Sequence, residues 1–264
     1  MLRVGYFQFR PVFGAVEKNR ATVLAALARA RADLIVLPEL PFTGYAFKNR
    51  LELSELAEDP RRSPTLNALT ELCRARSLYV ATGFAERHGK RLYNSAFLVG
   101  PRGVVQHYRK LHLFFREKLY FDEGNLPLGV SSVRGAKVGL MVCFDYMFPE
   151  VARRLALLGA DLLAHPSNLV THYGQGVMAT RALENGVFAI TANRIGEDRR
   201  PGGKVRFTGM SQIVDPRGEL IAKAAGGKPA LTIVRIEPTV ARDKYFTPMN
   251  HLLHDRRPAF YQSR

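Results

Sequence analysis

Apolar and polar positions repeat with two different periods along the chain and predict strands and helices in succession. Residues 2–9 alternate, which is typical of a strand. Residues 16–31 carry apolar side chains at helical spacing, and residues 63–77 do the same, so both segments are predicted to be amphipathic helices. Between them, the apolar run DLIVLPE predicts a buried strand that continues to Pro38.

Hairpins interrupt this alternation. Residues 78–86 and 92–100 predict two antiparallel strands joined by a short turn, and residues 104–110 predict a third strand. Residues 111–129 lack a period, are rich in aromatic side chains and are punctuated by glycine and proline, so they predict an irregular loop.

The second half repeats the same rhythm. Its predicted elements are a strand at 136–144, a helix at 148–160, a strand at 161–168, a helix at 177–186, a strand at 187–196, a hairpin at 207–224, a strand at 230–237 and a short helix at 239–246. Because hairpins and parallel crossovers are mixed, the order predicts an α/β (α+β) fold with mixed sheets rather than a barrel. We expect one domain over residues 1–264.

Composition narrows the function classes. The 264 residues are 47% hydrophobic, which is enough for one sizeable core. The formal net charge is +16, but the basic residues are scattered and do not interleave with aromatic side chains. Scattered charge is a weak footprint for nucleic acid, so we expect no nucleic-acid partner.

The same sequence gives no sign of a membrane segment. No apolar run approaches the roughly 18 residues that a membrane-spanning helix needs. The N-terminus MLRVGYFQFR is typical of a first strand and not of a signal peptide. We therefore expect a cytoplasmic protein without membrane association.

The two cysteines lie in different kinds of predicted element, so neither a disulfide framework nor a paired-cysteine metal site is expected. Cys73 occupies an apolar helical position. Cys143 follows an apolar strand and precedes the helix that begins near Pro149, and such an elbow would expose its sulfur near a helix N-terminus, which favours the thiolate. A buried, inert cysteine that closes the strand explains this segment equally well.

Two other predicted strands also end in a polar residue of a chemically useful kind, Glu39 after LIVLP and Lys110 after HYR. Ligands of sheet proteins bind where strands end and loops begin. A thiol needs a base or a neighbouring cation to react at neutral pH, and Glu39 and Lys110 could supply these. Each could instead cap a loop or lie on the surface, but a buried carboxylate and ammonium explain each other as a pair.

Three segments together resemble the catalytic segments of the nitrilase superfamily, the carbon–nitrogen hydrolases: LPELPFTGY, YRKLHLFFREKLYFDEGN and VGLMVCFDYMFPE. They occur in the same order as in that family. The resemblance continues through HPSNLV, RALENG and TANRIG and so covers nearly the whole chain.

The resemblance implies a role for each matching residue. Glu39 matches the general base, Lys110 the lysine that stabilises the transition state, Cys143 the nucleophile, and Glu117 a second glutamate that positions substrate and lysine. The backbone N–H of Phe144 matches an oxyanion donor. The resemblance further implies a four-layer αββα sandwich with two mixed β-sheets, and a homodimer or higher homo-oligomer to which the tail 245–264 contributes.

The implied reaction cleaves non-peptide carbon–nitrogen bonds through a cysteine thioester and releases ammonia, with no cofactor and no metal. The expected substrate is a small linear amide, an ω-amide or an N-carbamoyl compound, and an aliphatic nitrile is the alternative because CFD also resembles certain nitrilases. A catalytically silent interaction protein is a remote alternative.

Aromatic residues, including Phe42, are expected to line the pocket. The substrate-binding residues that we expect are Phe144, Tyr45, Phe115, Tyr146 and Asn168. Arg116 lies in the irregular segment 111–129, and its positive charge leads us to consider a substrate that carries a carboxylate.

Overall fold

Two six-stranded sheets form the centre of the computed structural model, which describes residues 1–200 and 203–261. The helices are α1 (Val16–Ala28), α2 (Arg50–Leu56), α3 (Pro64–Arg76), α4 (Pro149–Leu157) and α5 (Gly174–Asn185). The strands are β1 (Leu2–Gln8), β2 (Leu34–Val36), β3 (Tyr79–His88), β4 (Arg91–Gly100), β5 (Gly103–Arg109), β6 (Val130–Val133), β7 (Ala136–Leu140), β8 (Leu162–Ser167), β9 (Phe188–Asn193), β10 (Ile195–Arg200), β11 (Gly203–Thr208), β12 (Gln212–Val214), β13 (Leu220–Lys223), β14 (Ala230–Ile236), β15 (Tyr245–Thr247) and β16 (Asn250–His251). Short 3-10 helices cover Pro60–Arg62, Phe115–Leu119, Cys143–Met147, Pro238–Arg242 and Pro258–Phe260.

Each large sheet has a parallel centre and antiparallel edges. The first sheet has the order β14-β1-β2-β3-β4-β5, in which β1, β2 and β3 are parallel. The second has the order β13-β12-β9-β8-β7-β6, in which β7, β8 and β9 are parallel. This confirms the prediction of mixed sheets and of an antiparallel β3–β4 pair.

The sheets pack face to face, with β1 against β9, β3 against β8 and β4 against β7. Val4, Leu98, Leu140 and Ala164 belong to the fully buried core in this region. Helices α1 and α3 pack on the first sheet through residues such as Leu27, whereas α4 and α5 pack on the second. The four-layer αββα sandwich is therefore confirmed.

The sequence-based boundaries are wrong at several places. The strand expected at 136–144 ends at Leu140, because Cys143 has a positive φ of 41° and begins a 3-10 helix. The strand expected at 187–196 is divided into β9 and β10, and the β10–β11 hairpin was not predicted. Helix α2 was also missed, although Asn49 caps it by accepting a hydrogen bond from the Glu52 N–H, a usual start signal.

The described part of the chain contains no helix that is both long enough and apolar enough to cross a bilayer.

Candidate active site

The three polar residues predicted at strand ends come from both sheets. Glu39 follows β2 and Lys110 follows β5, both in the first sheet, whereas Cys143 follows β7 in the second. The Glu39 N–H donates a hydrogen bond of 3.4 Å to the carbonyl oxygen of Ser167, at the end of β8, and so connects the two sheets. The charges of Glu39, Lys110 and Glu117 all shift the pKa of the Cys143 thiol, which places the carboxylate, the ammonium and the thiol near one another.

Two glycines let the backbone of these loops approach the sheet closely. A Cβ atom on Gly83 of β3 would lie 2.5 Å from the Glu39 Cα, and one on Gly124 would lie 2.5 Å from the Lys110 carbonyl oxygen. Both contacts are with backbone atoms, which cannot move without moving the site. The sequence therefore needs glycine at both positions.

Three non-glycine residues around the site have a left-handed backbone. The φ angles are 47° at Leu40, 46° at Phe115 and 41° at Cys143. This region is unfavourable for residues with a Cβ, and such residues concentrate at functional sites. At Cys143 this backbone conformation begins the 3-10 helix Cys143–Met147.

Lys110 lies between two carboxylates. Its Nζ donates to Glu39 Oε1 at 2.7 Å and to the Glu117 oxygens at 2.9 and 2.8 Å. The hydroxyl of Tyr45 donates to Glu117 Oε1 at 2.7 Å, and the Phe114 N–H donates to Glu117 Oε2 at 3.2 Å. All the charged members of this group are buried, so the charges depend on each other for compensation.

One oxygen of Glu39 is held and the other is not. Oε1 accepts hydrogen bonds from Lys110 and from Asn94 Nδ2, the latter at 2.7 Å. Oε2 is buried and has no hydrogen-bond partner within residues 1–200 and 203–261. Burial raises the pKa of Glu39, and this effect outweighs the opposing charge of Lys110. A carboxylate of this kind has one oxygen available to accept a proton.

The pKa values of the neighbouring groups follow from the same charges. Burial alone would lower the pKa of Lys110, but the negative charges of Glu117 and Glu39 outweigh it, and the pKa is raised. Burial and the charge of Glu39 hold the pKa of Cys143 well above that of an ordinary thiol, with Lys110 opposing them. These directions favour an ammonium at Lys110 and a protonated thiol at Cys143, so the thiol would need a base in order to act as a nucleophile.

Asp145, which the sequence reasoning did not single out, organises the turn that carries Cys143. Its Oδ2 accepts hydrogen bonds from the Val142 N–H at 2.9 Å and the Tyr108 hydroxyl at 2.7 Å. Its Oδ1 accepts from the His112 N–H at 3.2 Å and from His112 Nδ1 at 2.8 Å. Tyr108 and His112 flank Lys110, so this fully buried carboxylate ties the lysine segment to the cysteine segment.

His165 supports the same turn from the second sheet. Its Nε2 donates to the carbonyl oxygen of Cys143 at 2.9 Å, and its Nδ1 is 3.1 Å from Thr191 Oγ1. Burial lowers the pKa of His165 to about 4, so the ring is neutral at neutral pH. A histidine inside a predicted buried strand was the available sequence signal, as was Asn94 inside β4.

Two adjoining cavities lie beside these residues. A small one of about 20 Å³ is lined by Cys143, Phe144, Tyr146 and Asn168 among others. A larger one of about 620 Å³ has Tyr45, Phe115 and Glu117 in its wall. Phe114 and Val170 line both. The larger volume is suitable for a small organic molecule.

The structure brings the predicted substrate-binding residues to these two cavities and leaves one predicted aromatic residue outside. Both the amide oxygen and the amide nitrogen of Asn168 are buried without a hydrogen-bond partner in the described residues. Phe115 is 74% exposed at the wider cavity. The expectation that Phe42 lines the pocket is wrong, because Phe42 packs in the apolar core beneath α1.

The chain is similar to known proteins over nearly its whole length. The sequence profile of the carbon–nitrogen hydrolase family matches residues 3–245. A nitrilase from Pyrococcus abyssi is 40% identical over 264 residues, which cover 99% of each chain. An (R)-stereoselective amidase from a Pseudomonas species is 37% identical over 216 residues, 80% of this chain and 76% of the relative.

A solved structure agrees with these sequence relatives. It is a variant of the amidase from Nesterenkonia sp. AN1 and shows the result of Michael addition of acrylamide at the active-site cysteine. Its TM-score with this chain is 0.82 at 25% identity, and the match covers 99% of this chain and 98% of that chain. The sandwich and these relatives together show that the chain belongs to the carbon–nitrogen hydrolase family, the nitrilase superfamily, as a hydrolase of carbon–nitrogen bonds other than peptide bonds.

Proposed function

We propose that the chain hydrolyses a small amide, ω-amide or N-carbamoyl compound to ammonia and an acid, with Cys143 as the nucleophile. The observation that carries this proposal is the arrangement of Glu39. One of its oxygens is fixed by Lys110 and Asn94, while Oε2 is buried and unpartnered in the part of the chain described. A buried carboxylate with a raised pKa, beside a thiol that is protonated at rest, is suited to general base catalysis.

The steps follow from these positions. Cys143 Sγ attacks the carbonyl carbon while Glu39 accepts the thiol proton. The oxyanion that forms is stabilised by the Lys110 ammonium and by the N–H of Phe144, since the first N–H groups of a helix have no partner inside it. Glu39 then returns its proton to the departing nitrogen, ammonia leaves, and a thioester remains. A water molecule deprotonated by Glu39 attacks the thioester, and the acid and the thiol are released.

Glu117 acts on Lys110 rather than on the bond that breaks. Its two oxygens hold the Nζ at 2.9 and 2.8 Å, and the Tyr45 hydroxyl fixes one of them. This second carboxylate keeps the ammonium charged and in place while Glu39 cycles between its protonation states.

Nitrile hydrolysis is a second candidate, favoured by the nitrilase relative that is 40% identical over 99% of each chain. Attack of Cys143 on a nitrile carbon gives a thioimidate, and one water molecule converts it to the thioester with loss of ammonia. A second water molecule then gives the acid. The same three residues serve both routes, and the substrate decides between them.

Ammonia release from matched pairs, such as butyramide and butyronitrile, tests the proposal and separates its two forms. Cys143→Ala is expected to abolish turnover, with its far-ultraviolet circular dichroism unchanged. Cys73→Ala is the matched control because Cys73 is buried in α3, away from the site. Intact-protein mass spectrometry should detect an acyl adduct that Cys143→Ala lacks. Turnover by Cys143→Ala at the wild-type rate would refute the assignment.

The oligomeric state is a further part of the proposal. We expect a homodimer in which the tail 245–264 covers part of the partner. Five large side chains of the described tail are exposed in the single chain: Tyr245, Phe246, Met249, Phe260 and Tyr261. Light scattering of the full chain and of a variant shortened after Lys244, which is itself buried, should give a dimer and a smaller species, respectively.

A further inference from the structure

The wall of the larger cavity carries charge of mostly one sign. Four of its residues are basic, namely Arg116, Arg200, Lys204 and Arg206. Glu117 is the single acidic residue among those that line it, and Lys110 and Tyr45 already engage its oxygens. The remainder of the wall is largely aromatic or aliphatic.

The basic residues differ in how far they are already neutralised. Arg200 is paired with Glu52 and stacks on Phe13. Lys204 is 2.9 Å from Glu197. Arg206 is exposed on β11, opposite Glu197 of β10, and its side chain has no hydrogen bond or ion pair with any residue in 1–200 or 203–261. The wall therefore retains at least one positive charge available to a ligand.

These charges are separated from the reacting atoms. Glu39, Lys110 and Glu117 form a buried group with one more negative charge than positive, so an anion placed against them would be repelled. The β10–β11 hairpin supplies Arg200, Lys204 and Arg206 to another part of the wall. A substrate with an amide at one end and an anion at the other satisfies both regions.

We propose that the site selects amides with a carboxylate at the far end of a short chain, and that Arg206, with Arg116, is a specificity determinant for that carboxylate. This inference rests on the proposed amidase function. A cationic amide is disfavoured because its ammonium would meet the same basic wall, and Glu117 is already occupied. The net charge of +16 adds attraction of anionic substrates over longer distances.

Three amides of equal backbone length test the proposal: glutaramate, valeramide and γ-aminobutyramide, which end in a carboxylate, a methyl group and an ammonium. The wild-type kcat/KM is expected to fall in that order. Arg206→Gln should lower the ratio of kcat/KM for glutaramate over valeramide about fivefold, the size expected for one exposed charge pair. Arg206→Glu should lower this ratio further and raise relative turnover of γ-aminobutyramide.

Arg235→Gln is the matched control. Arg235 is an exposed arginine on a strand of the first sheet and lines neither cavity, so its loss removes the same charge without touching the wall. The glutaramate-to-valeramide ratio should stay at the wild-type value in this variant. Raising the salt concentration from about 0.02 to about 0.5 M should lower the ratio in the wild type, because exposed charges are screened.

The proposal is overturned if the wild type hydrolyses valeramide as efficiently as glutaramate, or if neither Arg206→Gln nor Arg116→Gln changes their ratio. Failure of the amidase function itself has a different signature. It would appear as no ammonia from any of the three amides, or as undiminished turnover in Cys143→Ala.

Discussion

Replacing Asp145 by asparagine should show how far the proposed nucleophile depends on a fully buried residue of its own turn. The substitution keeps the shape of the side chain but turns one carboxylate oxygen into an amide that donates. Each oxygen now accepts two hydrogen bonds, one of them from a backbone N–H: Val142 on Oδ2 and His112 on Oδ1. Whichever way the new amide is oriented, one backbone N–H loses its acceptor.

The expected loss of stability follows from the one backbone N–H that is left without an acceptor. The Tyr108 hydroxyl can rotate to accept from an amide, and the His112 ring can change tautomer, but a backbone N–H cannot adapt. A buried donor without a partner costs about 1–3 kcal/mol. Because Val142 is fully buried and His112 is not, the amide nitrogen should face His112. The loss is well below the roughly 5–15 kcal/mol that stabilises a typical domain, so the variant should fold.

Activity should fall more than stability. The carboxylate joins the segment of Lys110 to the segment of Cys143, and small displacements of reacting groups are costly in rate. We expect kcat for an accepted amide to fall at least about tenfold. Urea unfolding followed by circular dichroism measures the loss of stability, and ammonia release measures the fall in kcat.

Asp243→Asn is the control, since Asp243 is exposed and, among the described residues, its side chain accepts only the Tyr245 N–H at 3.0 Å. Tyr108→Phe leaves the carboxylate in place but removes the donor to Oδ2 and the acceptor of the Leu111 N–H at 3.2 Å, so it too should cost stability. Equal stability and equal kcat in Asp145→Asn and Asp243→Asn would refute the reasoning.

Three further predictions concern the surroundings of Glu39, Lys110 and Cys143. Lys110→Met should abolish turnover and destabilise the fold by about 3–5 kcal/mol, because it leaves two buried carboxylates without a cation; urea unfolding should show this deficit growing as pH rises above the ordinary carboxyl pKa. His165 is neutral when folded, with a pKa of about 4, but binds a proton below its ordinary pKa when unfolded. The free energy of unfolding of the wild type should therefore fall by about 3 kcal/mol, because of His165, as the pH is lowered from about 6.5 to about 4. The His165→Gln variant should lose less stability over the same pH range. Gly83→Ala should destabilise by about 1–3 kcal/mol and lower kcat, since its Cβ would press on the Glu39 backbone; Gly176→Ala, in open space on α5, should not destabilise.

The parts of the site that the sequence predicts are those at the ends of apolar strands. Glu39 and Cys143 follow buried apolar runs and Lys110 follows the partly exposed strand β5, so the pattern marks all three as candidates and leaves a structural role open for each. Glu117 is different, because it lies in an irregular loop and only the family resemblance singles it out. The sandwich was likewise implied by the resemblance, whereas the periodicity alone predicts only mixed sheets.

The supporting residues could not be found in this way. Asp145 and Asn94 act on partners from distant segments; a polar residue inside a buried strand marks Asn94 as unusual, but neither spacing nor composition identifies the partner of either residue. The β10–β11 hairpin escaped because the segment IGEDRR is mostly polar, and part of its order comes from contacts with distant segments, such as the ion pair of Arg200 with Glu52. Contacts between distant segments therefore determine the supporting residues and this hairpin, which the local sequence pattern does not predict.

The proposed reacting groups are divided between two sheets, and nothing covalent except the chain itself sets the distance between them. Glu39 and Lys110 move with one sheet and Cys143 moves with the other, so the apolar layer between the sheets serves as the spacer of the catalytic centre. Slight slippage of one sheet over the other would separate base from sulfur long before either sheet melts. Inactivation by mild denaturant should accordingly precede global unfolding, and neither half of the chain, expressed alone, contains a complete set of reacting groups.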